Sequence, residues 1–293
     1  MKVILAEHAG FCFGVKRAIN MTSETAMKVK QQIYTYGPII HNPQVVAKFK
    51  KEGVHPVNNI KKVKKGNSII IRTHGVSPEK EKEFLKKSLK VTDATCPFVK
   101  KAQKLAAKLA GEGYNVVILG EAHHPEVKGI LGYTNNRAVV VGNPKEVRKI
   151  KKCSKLGVVV QTTQSMQNFL DTVFALRDKS PEIRVFNTIC DATRKRQDSA
   201  LKLANKVDIM IVVGGKNSAN TKHLAELCRE KRVPTYHIEG ALEIKKSWFK
   251  GKKLAGVTAG ASTPDWIIKS VIKTITAPDY RKNQSKPGQN NKS

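Results

Sequence analysis

Three cysteines of this chain share a local context. Cys12, Cys96 and Cys190 each close a loop after a short apolar strand pattern, and each opens a helical one. Each is followed four and five residues later by two basic side chains: Lys16-Arg17, Lys100-Lys101 and Arg194-Lys195. A cysteine at a helix start meets free N–H groups and the positive end of the dipole, which favour a thiolate. A lone cysteine there reads as a small buried hydrophobe, but three in matched positions call for another account. Three thiolates at three helix ends make a metal site with an incomplete protein shell. Structural zinc takes four protein ligands and catalytic zinc keeps one position open. An iron–sulfur cluster on three cysteines leaves one iron free for substrate. Cysteines about ninety residues apart fit neither zinc-finger nor ferredoxin spacing, so the residues point to metal, iron–sulfur ahead of zinc with both open.

A second set of residues recurs with the cysteines. After each cysteine helix come a strand pattern, a glycine and a polar loop: Gly37 to His41, Gly120 to His124, and Gly214 to Ser218. His41 follows Cys12 by 29 residues, and His124 and Ser218 follow their cysteines by 28; each glycine precedes its polar residue by four. A third recurring strand leads into Thr73-His74, Thr162-Thr163 and Gly260-Ala261-Ser262. His41, His74, His124, Ser218, Asn220 and Ser262 are donors, most of them at helix starts, where anions bind. Together they describe a phosphate or diphosphate pocket. Taken singly, each histidine would be structural and each serine a cap. Glu126, two residues past His124, is the carboxylate of these loops; in a closed pocket its pKa would rise and suit a proton donor. Its ordinary alternative is an acidic residue in a first helical turn. Thr162 suits a proton relay or a grip on a hydroxyl, and could equally be a cap. Cys153 and Cys228 read as structural, and His8, His55, His123, His223 and His237 stand outside the repeat.

The elements that must position these residues follow from the same repeat. Pro97 suits a first helical position, and Val99, Ala102, Leu105, Ala106 and Leu109 continue at helical spacing until Gly111 and Gly113. Strands alternating with helices imply right-handed βαβ crossovers and parallel sheets. The expected fold is α/β: three repeated units in a cyclic pseudo-threefold arrangement around the metal centre, at residues 13–96, 97–189 and 190–279. The strands leading into Cys96 and Cys190 end units one and two. Unit three runs out before such a strand, and the spare one, Val3 to Ala6, is expected to complete it, so that residues 1–12 belong there. Residues 280–293 read as a disordered tail, and Lys61 to Lys65 and Lys145 to Lys155 as solvated charge runs.

The chain has 293 residues, 54 Lys+Arg against 23 Asp+Glu, and a formal net charge of +31. That charge fits a polyanion partner, but lysines spread through the chain without interleaved aromatics or an RNA-binding signature favour a solvated surface with some phosphate steering. The basic pairs after the cysteines read as surface. Five cysteines, an odd number widely spaced, make no disulfide framework and point to a reducing, cytoplasmic setting. No apolar run approaches membrane-spanning length, and Val3 to Ala6 is cut off by Glu7 and His8 too soon for a signal peptide. Two other classes compete: a zinc-dependent hydrolase of phosphorylated substrates, and a charge-driven nucleic-acid binder.

The motifs Ala9-Gly10-Phe11-Cys12-Phe13-Gly14-Val15, Gly37-Pro38-Ile39-Ile40-His41-Asn42, Arg72-Thr73-His74-Gly75, Asp93-Ala94-Thr95-Cys96-Pro97, His123-His124-Pro125-Glu126, Gln161-Thr162-Thr163, Lys216-Asn217-Ser218 and Gly260-Ala261-Ser262 together resemble the 4-hydroxy-3-methylbut-2-enyl diphosphate reductases. The likeness runs from Lys2 to about Ala277. It implies a [4Fe–4S] cluster on Cys12, Cys96 and Cys190, with the substrate hydroxyl at the open iron. It implies a diphosphate held by His41, His74, His124, Ser218, Asn220 and Ser262, with Glu126 as proton donor and Thr162 in its relay. The implied reaction is two-electron removal of the hydroxyl, with ferredoxin or flavodoxin as donor, no membrane and no specific nucleic acid. One departure is Ala219, where some members carry a second serine; only its backbone N–H could serve a phosphate.

Overall fold

The computed structural model describes residues 1–29 and 31–277; the expected tail, 280–293, lies outside them. The chain opens on strand β1 (Lys2–Leu5) and then passes three times through one pattern. The first pass is α1 (Phe13–Lys28), β2 (Ile33–Tyr36), α2 (Pro43–Lys51), β3 (Val54–Val57), β4 (Ser68–Ile71), α3 (Pro78–Lys86) and β5 (Lys90–Asp93). The second is α4 (Pro97–Gly111), β6 (Asn115–Leu119), α5 (Pro125–Gly132), β7 (Val139–Val141), β8 (Lys155–Val160), α6 (Met166–Leu176) and β9 (Glu182–Val185). The third is α7 (Asp191–Ala204), β10 (Ile209–Val213), α8 (Ala219–Glu230), β11 (Thr235–Ile238), β12 (Leu254–Ala259) and α9 (Asp265–Thr276).

Each pass builds a four-stranded parallel sheet of the same order: β3-β2-β4-β5, β7-β6-β8-β9 and β11-β10-β12-β1. The third pass ends on a helix, and β1 takes the place of its missing strand, pairing Lys2 with Leu254 through Leu5 with Val257. Three strands go unmentioned in the sequence reading, β3, β7 and β11, and all three are edges. They are short and only partly buried, and β3 carries Pro56, tolerated at an edge where its missing donor costs no ladder bond. The two charge runs are also less solvated than expected. Val63 and, in the second run, Val147 and Ile150 are buried, and Lys155 already begins β8.

By compactness the chain divides into two units, Cys12 to Arg194 and, in the other, residues 1–11 with those from Lys195 onward. The Cys12–Arg194 unit holds the first two sheets. Its central strands are apolar on both faces, as a sheet covered by helices on both sides requires. On one face of the second sheet Val117, Leu119, Val158 and Val160 pack with Phe169 and Leu176 of α6. On the other, Val116, Ile118 and Val159 meet Ala102, Ala106 and Leu109 of α4. Within the other unit, Ile209, Ile211 and Val257 pack on Ile267, Val271 and Ile275 of α9, and Met210 and Val212 on Leu203 of α7 and Leu224 of α8.

Candidate active site

The three cysteines all fall in the Cys12–Arg194 unit. Cys12 and Cys96 immediately precede α1 and α4, and Cys190 immediately precedes α7. None is in a disulfide. The Cys96 thiol feels those of Cys12 and Cys190. A Cβ placed on Gly14 would lie 2.5 Å from the Cys96 sulfur, so only glycine lets the first turn of α1 approach it. The Cys96 N–H donates to the Thr73 carbonyl at 3.0 Å, and the Cys190 N–H to that of Thr162 at 3.1 Å. Both cysteines are thereby tied to the loops that carry the other chemistry.

The ionisation of Cys96 and Cys190 corrects the expectation from helix ends. N–H groups of Phe98 and Val99 do pull the Cys96 pKa down, but burial outweighs them and pushes the thiol up to about 11. Cys190 is also raised, by burial first, although the Thr193 N–H and hydroxyl face its sulfur at 3.3 and 3.0 Å. A bound metal would deprotonate such thiols outright. Three thiols at matched helix starts, none of them in a disulfide, offer a metal centre an incomplete protein shell. Among the described residues, one trio of possible ligand side chains has its donor atoms all within 4.8 Å, and it is His41, His74 and His124.

The histidines form the second part of the site. Ring centroids lie 4.6 Å apart for His41 and His74, 5.2 Å for His74 and His124, and 5.9 Å for His41 and His124. They stand past the ends of β2, β4 and β6, so two sheets supply them. His124 caps α5, and its Nδ1 accepts the Glu126 N–H at 3.2 Å. In the neutral ring this leaves the proton on Nε2, a donor for an anion. His74 is held well below its ordinary pKa, by burial first and then by His41, His124 and Arg72.

Arg72 is the residue that the sequence reading passed over, though it stands in a quoted motif. It lies against Gly37, where a Cβ would collide with its guanidinium, and Gly37 has φ +72°. Its Nε is buried without a hydrogen-bond partner, and burial lowers its pKa to about 10. A half-hidden cation with no carboxylate partner among the described residues, beside a histidine trio, marks an anion site rather than a cation site. The available signal was a charged residue directly after the buried Ile69-Ile70-Ile71 run.

Glu126 is 1 % exposed, on the first turn of α5. The Thr162 N–H donates to its Oε1 at 2.7 Å, and the Thr162 hydroxyl to Oε2 at 2.9 Å. Burial raises its pKa to about 7 against the lowering effect of both bonds, with Glu121 adding to the rise. Glu126 and Cys190 also interact electrostatically. A carboxyl poised near neutrality, held on a hydroxyl, can store and release one proton.

The remaining candidates belong to the other unit. Ser218 caps α8, accepting the Thr221 N–H at 3.4 Å, after β10. Ser262 follows β12, the neighbour of β10, so the two serines leave the same end of one sheet. Asn220 is 7 % exposed and its Nδ2 has no hydrogen-bond partner. Ala219, the departure noted above, is buried in the first helical turn.

With this geometry in place, comparison with known proteins decides the family. The model of the family described as LytB protein matches residues 3–276. The chain belongs to the LytB family. Within that family it is 53% identical over 282 residues to the 4-hydroxy-3-methylbut-2-enyl diphosphate reductase of Geobacter sp. (strain M21), covering 96% of this chain and 99% of that one. It is 52% identical to the protein of the same name from Citrifermentans bemidjiense, with the same coverage. A solved (E)-4-hydroxy-3-methyl-but-2-enyl diphosphate reductase, described as the terminal enzyme of the non-mevalonate pathway, superposes with TM-score 0.70 at 48% identity. That match covers 94% of this chain and 99% of the other. The Plasmodium falciparum reductase superposes with TM-score 0.92 at 32% identity, over 95% of this chain and 89% of its own. LytB membership agrees with the fold class read from the repeat.

Proposed function

We propose that this LytB chain is the reductase that converts 4-hydroxy-3-methylbut-2-enyl diphosphate to isopentenyl and dimethylallyl diphosphate, the last step of the non-mevalonate isoprenoid route. The observation that carries the reading is the Glu126–Thr162 pair, held beside Cys190 in the unit that also gathers three histidines and Arg72. Cys12, Cys96 and Cys190 would hold a [4Fe–4S] cluster, which when bound supplies electrons and Lewis acidity toward the substrate hydroxyl. Glu126 holds the proton that lets the hydroxyl depart as water, and Thr162 orients that carboxyl. His124 offers Nε2–H to the diphosphate; His41, His74 and Arg72 complete this donor set. Ser218, Asn220 and Ser262 are proposed as further diphosphate ligands, on the family resemblance and, for Asn220, its unsatisfied buried amide.

A ferredoxin or flavodoxin is the proposed electron donor, and the five thiols outside disulfides support a reducing, cytoplasmic setting. Among the described residues no helix is long and apolar enough to cross a membrane. As repeat units we propose 13–96, 97–189, and 190–279 completed by 1–12. The test is anaerobic turnover with a reduced viologen: both five-carbon diphosphates should accumulate at the expense of the hydroxylated substrate. Release of inorganic phosphate without reduction would favour the competing zinc hydrolase.

A further inference from the structure

The paired cations behind each cysteine take no part in the site described above. Within the Cys12–Arg194 unit, Lys16 and Arg17 lie on the first turn of α1, Lys100, Lys101 and Lys104 on α4, and Arg194 on α7. All but the half-buried Arg17 are exposed. Two hollows open beside the helix starts and share Lys101. One is walled by Arg17, Pro97, Lys100 and Lys104, the other by Phe98, Met166, Ile189 and Arg194. Phe13, next to Cys12, is 64 % exposed, and Phe98, two residues past Cys96, is 38 % exposed.

The carboxylates close by are few. Asp93 pairs with Lys100, Asp191 lies 3.4 Å from Arg194, and Glu81 interacts with Asp93 and Lys100. Among the described residues Lys16, Lys101 and Lys104 make no ion pair, so their ammonium groups are open to a partner. Scattered surface phenylalanines are ordinary. Two of them beside the sulfur-bearing helix starts, rimmed by free cations, match the apolar centre and charged rim of a protein interface. A nucleic acid would use the cations but has no need of the sulfurs.

We infer that this face docks an acidic one-electron carrier protein, its carboxylates on Lys16, Lys101 and Lys104 and its redox group against Phe13 and Phe98. The inference rests on the reading that the three cysteines hold a redox centre. Each docking oxidises the carrier by one electron and reduces this protein by one. Two dockings and two protons account for the loss of the substrate hydroxyl as water and a new C–H bond in the product.

The experiment compares the holoprotein with a Lys16→Glu/Lys101→Glu/Lys104→Glu variant and with a Lys61→Glu/Lys62→Glu/Lys64→Glu control of equal charge change. Binding of oxidised flavodoxin is measured by titration calorimetry from about 50 to 200 mM salt. The first variant should weaken binding about tenfold or more and flatten its salt dependence, and the control should leave both near wild type. Flavodoxin-driven kcat/KM should fall by a similar factor while the viologen-driven rate is unchanged. Unaltered flavodoxin affinity overturns the inference, as does a variant that loses only binding to single-stranded RNA. A holoprotein without iron that also fails with viologen overturns the functional reading beneath it, a distinguishable result.

Discussion

Replacing Glu126 by Gln should make the protein more stable and less active, and the pH at which it does so is fixed by the burial of that carboxyl. Glu126 titrates at about 7 in the folded chain against an ordinary 4.5. Between these values the folded state holds a proton that the unfolded state has released, so stability falls as pH rises through the window. The gap corresponds to about 3 kcal/mol lost above pH 7. A glutamine carries no charge to bury, can accept the Thr162 N–H, and can donate to the Thr162 oxygen. At pH 8 the variant should therefore melt roughly 5 °C above wild type, and at pH 4, below the ordinary glutamate value, the two should melt nearly together. Turnover of the variant should fall by about 10²–10⁴, the usual worth of a general acid. The assays are calorimetric melting at the two pH values and viologen-driven product formation on equally loaded protein. Full turnover would remove Glu126 from proton delivery. A stability gain of the same size at pH 4 would show that packing, not charge burial, governs the site.

Thr162→Val deletes the hydroxyl bond that holds the Glu126 pKa down, so the alkaline limb of the kcat profile should move up by about one pH unit; a limb that stays put refutes the coupling. Arg72→Gln should raise the substrate KM about tenfold or more with kcat little changed, and should raise the His74 pKa followed by NMR, since Arg72 helps depress it. Unchanged values for both would make Arg72 purely structural. Gly14→Ala should displace the Cys96 sulfur and cut iron content while leaving far-UV circular dichroism intact; full iron loading would show that α1 yields without consequence.

What the residues made legible depended on how much burial stood behind each signal. The central strands declare themselves because both faces are covered, as in Ile69-Ile70-Ile71. The edge strands β3, β7 and β11 are short and half-wet, so neither alternation nor a long apolar run marks them. Cys12, Cys96 and Cys190 stood out by repetition, but the ionisation of Cys96 and Cys190 did not, since dipole and desolvation oppose each other and only three-dimensional burial says which prevails. Glu126 was legible as the acid two residues past a repeat histidine, although Glu121 shares its loop. Its partner's two donated bonds, and hence a pKa near neutrality, required the approach of β8 to α5. Arg72 was hidden by its position, since a cation just past a strand end ordinarily reaches solvent.

The central claim is that Cys12, Cys96 and Cys190 together hold an iron–sulfur cluster. It is tested most directly by the visible spectrum of anaerobically purified protein with iron and acid-labile sulfide counted per chain. The account predicts a brown protein with iron and sulfide in equal amounts, and loss of both in Cys12→Ser, Cys96→Ser and Cys190→Ser alike. Colourless wild-type protein with stoichiometric zinc and no sulfide would contradict it.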